Sequence, residues 1–475
     1  MNKLFRYLNP YKREIVIVLV LVFLQSLAEL YLPTLMSHIV DTGIVKGDID
    51  YILRIGILML GVTGVGTVCS ILASLLSAKT AAGFGKILRA NVFERVESFS
   101  LNEFNHLGTA TLITRTTNDI NQIQTVTFMI MRMMISAPFM CLGGIIMAVS
   151  KDKPLSLVIV GAIPIIAAVI VFIISKAIPL FKTMQIKIDK LNLVLREGLT
   201  GVRVIRAFNR IDREAQRFTE ANTDLMENAV RVNKLIATMM PAMMLIMNFT
   251  LIAIIWFGSI RIDNGSMQVV ALMAFIQYAM MIMISLLIVS MMFIMVPRAS
   301  ASAIRINEVL ETIPGITDPG EFKEPDNPRG LLEFKGVTFS FPGAEQPAIN
   351  RVSFKASPGE ITAIIGGTGS GKSALINLIP RFYDVDQGNV LIDGVDVREM
   401  SQERLRAKIG LVPQKTVLFT GTIADNIRYG KDNASEGEVH HAAEVAQAIE
   451  FVDSMPDGFN SIIEQGGTNV SGGQK

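Results

Sequence analysis

Five stretches of this chain, 55–78, 133–150, 154–175, 235–260 and 264–297, contain no charged residue. A helix needs roughly 20 apolar residues to cross a bilayer core, so these runs constrain the fold before any motif does. A sixth, Ile15–Met36, is interrupted only by Glu29. The run at 133–150 is short by itself and lengthens if the helix starts earlier and carries Arg132. Six spans are expected, near 15–36, 55–78, 126–150, 154–178, 235–259 and 269–297. The first is too long for the apolar core of a cleaved signal peptide and lacks a small-residue cleavage site, so it is read as retained.

Charge then divides the chain in two. Only 18% of the 475 residues are charged, against about 25% in an ordinary soluble domain. Residues 1–300 hold 28 Lys+Arg and 18 Asp+Glu, whereas 301–475 hold 16 and 24. A basic, apolar first part followed by an acidic, soluble second part fits neither a nucleic-acid footprint nor a disordered tail. Segments 1–13, 79–115 and 176–234 carry 4, 5 and 12 Lys+Arg, while the intervening loops 37–53, 151–153 and 260–268 carry 1, 2 and 1. Basic residues stay on the cytoplasmic side, which puts both ends of a multi-pass cell-membrane protein in the cytoplasm. Cys69 and Cys141 both lie in spans, so no disulfide framework is indicated.

Within the long cytoplasmic segments, Leu191, Val194, Leu195, Val202 and Ile205 recur at helical spacing among charged neighbours. The spanning helices are expected to continue beyond the bilayer, as docking hairpins or as solvated amphipathic helices. Spans three, five and six hold 18 of the 26 methionines. Flexible Met side chains suit a surface that accepts varied apolar ligands, although helix packing and lipid contact use the same residues. Glu29, Arg132, Asn248 and Gln277 are costlier to place in lipid and tend to face a bundle interior or a wet cavity. Glu29 and Arg132 could also satisfy each other.

After Pro297 the pattern changes. Residues 301–330 have the Pro, Gly and charge content of a linker. Leu332–Ser340 and Ala348–Ala356 read as strands, and Glu360–Ile365 as a short apolar strand entering a Gly-rich turn. That turn, Gly366-Gly367-Thr368-Gly369-Ser370-Gly371-Lys372-Ser373, satisfies G-x-x-x-x-G-K-[ST] in full. Glycines let the backbone wrap so that N–H groups face phosphate oxygens, and the following helix adds its positive end. Lys372 would reach the terminal phosphates and the Ser373 hydroxyl would ligate Mg²⁺. Nucleotide binding follows from the motif and its context.

Two further stretches narrow the kind of nucleotide machine. Val412-Pro413-Gln414 follows the phosphate loop by about forty residues, and Val470-Ser471-Gly472-Gly473-Gln474 stands at the end of the sequence. In this order they resemble the Q-loop and signature motif of the ATP-binding cassette (ABC) family, with Val470 where Leu is commoner. Phe341-Pro342 resembles that family's adenine-stacking site, where Tyr is frequent. Leu112–Asp119 and Glu197–Phe208 are similar to cytoplasmic-helix segments of its exporter branch, in which six spans precede a fused cassette.

The resemblance implies an all-α six-helix transmembrane domain over 1–300, a linker over 301–330 and a partial α/β P-loop nucleotide-binding domain over 331–475. It implies one half of an ATP-driven exporter that pairs with a second half, as homodimer or heterodimer, in a lipid bilayer. The substrate is expected to be a small molecule or lipid, and no nucleic-acid partner is implied. Phe341, the loop Gly366–Ser373 and Gln414 would hold this chain's ATP, with Ser373 and Gln414 on Mg²⁺. Ser471, Gly472, Gly473 and Gln474 would contact the partner's ATP. Hairpin tips near Leu101–Gly108 and Asn209–Gln216 would dock on the cassettes.

The family's Asp-ending strand, catalytic Glu and switch His come after the signature, so no catalytic residue is assigned here and a longer parent chain is expected. His440 and His441 precede the signature and read as surface helix residues. The alternative is a partner subunit that binds ATP without hydrolysing it. Importers are disfavoured because their spans and cassettes normally sit on separate chains.

Overall fold

The computed structural model describes residues 3–325, 328–414 and 416–475. The chain divides into two units: Met1–Phe99 with Glu103–Gly315, and Ser100–Asn102 with Ile316–Lys475.

Among the described residues of the first unit, six helices are long and apolar enough to cross a membrane: α1 Leu4–Ile44, α2 Ile49–Glu97, α3 Thr109–Lys151, α4 Lys153–Thr200, α5 Ile211–Asp263 and α6 Val269–Glu311. Hydrocarbon offers backbone groups no hydrogen-bond partner, so an apolar run closes its bonds within itself. At 1.5 Å per residue the 53 residues of α5 extend about 80 Å, far more than the roughly 30 Å of a bilayer core. The helices therefore project well beyond any membrane. Of the amphipathic positions on the α4 side, Val194 is buried, whereas Leu195 and Val202 are exposed. The α4–α5 pair is packed through Ala162, Ile166 and Ile173 against Met239 and Met243, and polar contacts join it further along: Asn228 Nδ2 donates to the Leu180 carbonyl at 3.1 Å, and Lys187 lies 3.1 Å from Asp224. The hydrogen bond from Lys187 holds the Asp224 carboxyl below its usual value.

α6 is the most enclosed of the six. Its Phe275, Tyr278 and Ile282 pack with Leu30 of α1, Ala148 of α3, Leu155 and Ile159 of α4 and Ile254 of α5. The Tyr278 hydroxyl lies 2.7 Å from Thr34 Oγ1 and donates to the Leu30 carbonyl at 3.2 Å, so the ring is buried with its polar atom satisfied. A second core at the other end joins Phe84, Leu88 and Val92 of α2, Ile120 and Ile123 of α3, and Ile306 and Val309 of α6. Residues 301–311, expected in the linker, are thus part of α6, because successive turns of that stretch supply buried Ala303, Ile306 and Val309.

Charged groups join the helices near their ends. Asp119, buried on α3, accepts from Ser302 Oγ at 2.9 Å and Arg305 Nε at 2.7 Å. Arg115, one turn earlier, lies 2.9 Å from Glu308. At the tight α3–α4 junction, Asp152 caps α4 by accepting from the Leu155 N–H at 2.7 Å and receives Arg261 Nε of α5 at 2.7 Å. One carboxylate therefore fixes both the start of α4 and its distance from α5. Removing one member of a buried pair leaves the other uncompensated. Asp152→Ala is expected to cost about 3 kcal/mol through the lost cap and stranded Arg261. Thermal unfolding of the solubilised protein checks this, and an unchanged midpoint would refute it.

The second unit contains a four-stranded antiparallel sheet of order β2-β1-β3-β4, with β1 Leu332–Phe339, β2 Ile349–Ala356, β3 Gln387–Ile392 and β4 Val395–Asp396. In register, Phe334 faces Phe354 on β2 and Val390 on β3. Helix α7, Lys372–Leu378, packs Ala374, Leu375 and Leu378 on the sheet with Phe334, Val337, Phe339 and Val390. A smaller core gathers Ile423, Val452 and Ile463.

Asp393-Gly394 turns β3 into β4, both residues at positive φ (52° and 84°), the turn chemistry a tight hairpin requires. Asp393 Oδ1 also accepts from the N–H groups of Arg329, Gly330 and Leu331 at 3.1, 2.8 and 2.8 Å. Burial pushes this carboxyl up, and the three donors outweigh it, holding it below its usual value. A depressed folded-state value gives stability that is present above the unfolded pKa of about 3.9 and is lost as pH falls through the folded value. Asp393→Asn should remove that part of the acid sensitivity. Stability of the wild type and the variant measured from pH 6 down to about pH 2 should converge, and parallel curves would refute the assignment.

The expected strand at Glu360–Ile365 does not form. Residues 360–367 have no regular structure, and Ile361 and Ile365 are exposed. The apolar pair Leu411-Val412 is exposed too. Such continuous apolar runs are stable as parallel strands only when both faces are covered. Among the described residues neither run has a ladder partner.

Candidate nucleotide site

The phosphate loop is formed without its flanking strand. Gly369 and Gly371 adopt φ of 84° and 86°, the left-handed region that a side chain disfavours. Gly371 is also the N-cap of α7, and a Cβ there would strike the backbone carbonyl of Ala348 just before β2. The turn is thus clamped between the sheet and the helix it starts. Ser370 N–H donates to the Gly367 carbonyl at 3.3 Å. Lys372 Nζ curls into the loop and donates to the carbonyls of Gly366 and Gly367, both at 2.7 Å, with Ser370 Oγ at 3.5 Å. A full positive charge therefore sits in a concave backbone turn at the head of a helix. Ser373 is exposed on the first turn of α7.

Phe341 is exposed at the end of β1 and packs edge-on against Phe339 and Tyr383, with ring centroids at 5.0 and 5.5 Å. Its orientation is fixed while part of its surface remains open, as a base-stacking platform needs. Thr368 and Ser370 are exposed on the loop, and Gln414 is exposed on the irregular segment after Val412. Among the described hydrogen bonds none joins Gln414 to the phosphate loop.

The signature residues form a compact turn. Gln474 Oε1 accepts from Ser471 N–H at 2.8 Å, and Ser471 Oγ accepts from Gln474 N–H at 3.4 Å. This reciprocal arrangement is a capping box, and it leaves Gly472 and Gly473 exposed between the two capping residues. His441 lies 3.6 Å from Glu444 on the surface helix α10, Glu436–Val445, which follows α8 (Gln402–Arg406) and α9 (Ile423–Arg428). His440 packs against the Phe459 ring. Both histidines are exposed.

Comparison with known proteins decides the family. The profile of the ABC transporter transmembrane region matches residues 15–287, and that of the ABC transporter cassette matches 349–475. The chain belongs to the ABC transporter family. An uncharacterized ABC transporter ATP-binding protein of Mycobacterium tuberculosis is 44% identical over 474 residues, covering 99% of this chain and 81% of the relative. An ATP-dependent lipid A-core flippase of Chromobacterium violaceum is 26% identical over 100% of this chain and 81% of its own length. A fatty acid ABC transporter ATP-binding/permease protein of Mycobacterium bovis is 32% identical over 393 residues, 82% of this chain and 61% of the relative. The architecture, six apolar helices followed by a cassette, is that of an exporter-type half-transporter, and this ABC protein is a multi-pass membrane protein that binds ATP.

The loop geometry sets a specific requirement. Gly371→Ala places a side chain in a left-handed conformation, at about 1–2 kcal/mol, and against a backbone carbonyl. ATP affinity of the intact transporter should fall about tenfold or more. Gly410→Ala, which meets nothing within 4 Å, should leave it unchanged. Equal affinities for the two variants would refute the reading of the loop.

Proposed function

We propose that this chain is one half of an ATP-driven exporter that moves a lipophilic solute outward, with both of its ends in the cytoplasm. The observation that carries the proposal is the formed phosphate loop: two left-handed glycines and Lys372 turned into the bowl. Triphosphate oxygens can replace the two neutral carbonyls as acceptors for the Lys372 ammonium, and a charge-assisted bond is stronger than a neutral one. The N–H groups of the loop and the start of α7 add donors to the same oxygens. Phe341 stacks the adenine, the Ser373 hydroxyl ligates Mg²⁺, and Gln414 completes the site when the segment carrying it closes. Mg²⁺ would neutralise charge between the terminal phosphates.

Ser471, Gly472, Gly473 and Gln474 reach the ATP of a second half-transporter, identical or different. The capping box fixes the turn so that its glycines can approach a phosphate without a side chain in the way. Binding of two nucleotides between two cassettes then draws them together, and the long helices carry that movement to the spans. The lipophilic character of the solute rests on the Met-rich spans and on the names of relatives that act on lipid A-core and fatty acid.

Lys372→Ala in the complete transporter is expected to lower ATP-dependent solute accumulation in inverted vesicles by about 100-fold or more, as loss of a charge-stabilising contact does. Transport at the wild-type rate would refute the assignment of the loop.

A further inference from the structure

Between α1 and α2 lies a two-part cavity remote in sequence from every residue of the nucleotide site. Its polar end, about 250 Å³, is lined by Glu29, Thr63, Thr67 and Ser70. The adjoining part, about 800 Å³, shares Ala28 and Val62 with the first and is an open groove whose apolar walls, such as Leu58 of α2 and Ile146 of α3, are themselves exposed. A carboxylate and hydroxyls at one end and an apolar groove at the other match an amphipathic molecule.

The carboxylate is held in place but not neutralised by contact. Gln25 Nε2, one turn earlier on α1, donates to Glu29 Oε1 at 2.8 Å. Gln25 Oε1 accepts from Arg132 Nη1 at 2.9 Å, and the other terminal nitrogen of Arg132 donates to Ser70 Oγ of α2. Arg132 stands in the π-helical turn Ile130–Met134 of α3, a distortion found frequently at functional sites. The relay thus joins three helices and ends on Glu29. Among the described residues no cationic side chain comes within ion-pair distance of Glu29, and its second oxygen has no partner. An acidic side chain within an apolar span tends to face a partner or a cavity. Arg132 has two terminal nitrogens committed to Gln25 and Ser70 and does not line the polar end, so an anionic head would meet Glu29 first.

We propose that this cavity binds the cationic head of an amphiphile, an ammonium group on Glu29 among the threonine hydroxyls, with its alkyl or aryl body in the apolar groove. The proposal rests on the reading of the chain as an exporter of lipophilic solutes and names the class of solute. Arg132 and Gln25 are positioning residues that aim the carboxylate.

The test is binding, without nucleotide, of radiolabelled dodecyltrimethylammonium, dodecanol and dodecyl sulfate to the full-length transporter in nanodiscs, with empty nanodiscs subtracted. The wild type should prefer the ammonium to the sulfate. Glu29→Gln should weaken ammonium binding about tenfold and leave dodecanol about unchanged, whereas Glu29→Asp should keep the preference. Val62→Trp, which fills the boundary between the two parts, should weaken both the ammonium and dodecanol. Loss of ammonium and dodecanol alike in Glu29→Gln, no loss of either, or a wild-type preference for the sulfate would overturn the proposal. Should Glu29→Gln fail to fold, wild-type selectivity and Val62→Trp still decide it. Ammonium binding without ATP-driven export would sink the exporter reading alone, and export without Glu29-dependent binding would sink the cavity.

Discussion

The membrane half is governed by one constraint: hydrocarbon cannot satisfy a backbone N–H or C=O. The six apolar segments have to close their hydrogen bonds internally, and once helical they have no reason to stop at the membrane surface unless the sequence breaks them. Asp48 and Asp152 mark two of the restarts by capping α2 and α4. Elsewhere the helices continue for up to 53 residues and become rods that can carry movement over distances no loop could span. Prolines 164, 179, 241 and 297 lie inside these helices, as is tolerated where neighbouring helices take up the freed backbone groups.

Apolar helices in lipid gain little from the hydrophobic effect when they meet one another, so packing and polar joints decide which helices touch. Tyr278 at the centre of the bundle and Asp119 and Asp152 toward its ends serve this purpose. Each is buried with its polar atoms bonded to a second helix. The Glu29 relay differs in one respect. Among the described residues its last member, Glu29, is bonded only within its own helix, to Gln25, and lines the groove between α1 and α2.

How much of this was legible in the sequence follows from how local each signal is. A run of twenty apolar residues and the pattern from Gly366 to Ser373 are contiguous, so the six helices and the phosphate loop could be read directly. The contact between Asp119 and Arg305 joins positions 186 apart, and nothing near either residue announces the other. The Asp393-Gly394 hairpin and the Asp152 cap are local signals too, each carried by one or two adjacent residues. Glu360–Ile365 was misread for the opposite reason. Its composition suits a parallel strand, yet a strand is a relation between segments, and composition does not supply the neighbour.

The phosphate loop does not depend on a strand before it: 360–367 is irregular while the loop beyond is fully formed. Its geometry is therefore imposed from the other side. α7 buries Ala374, Leu375 and Leu378 on the antiparallel sheet, and Gly371 is pressed against the carbonyl of Ala348 at the entrance to β2. A loop fixed in this way has already paid its ordering entropy, so less of the nucleotide's binding energy is spent on organising the site.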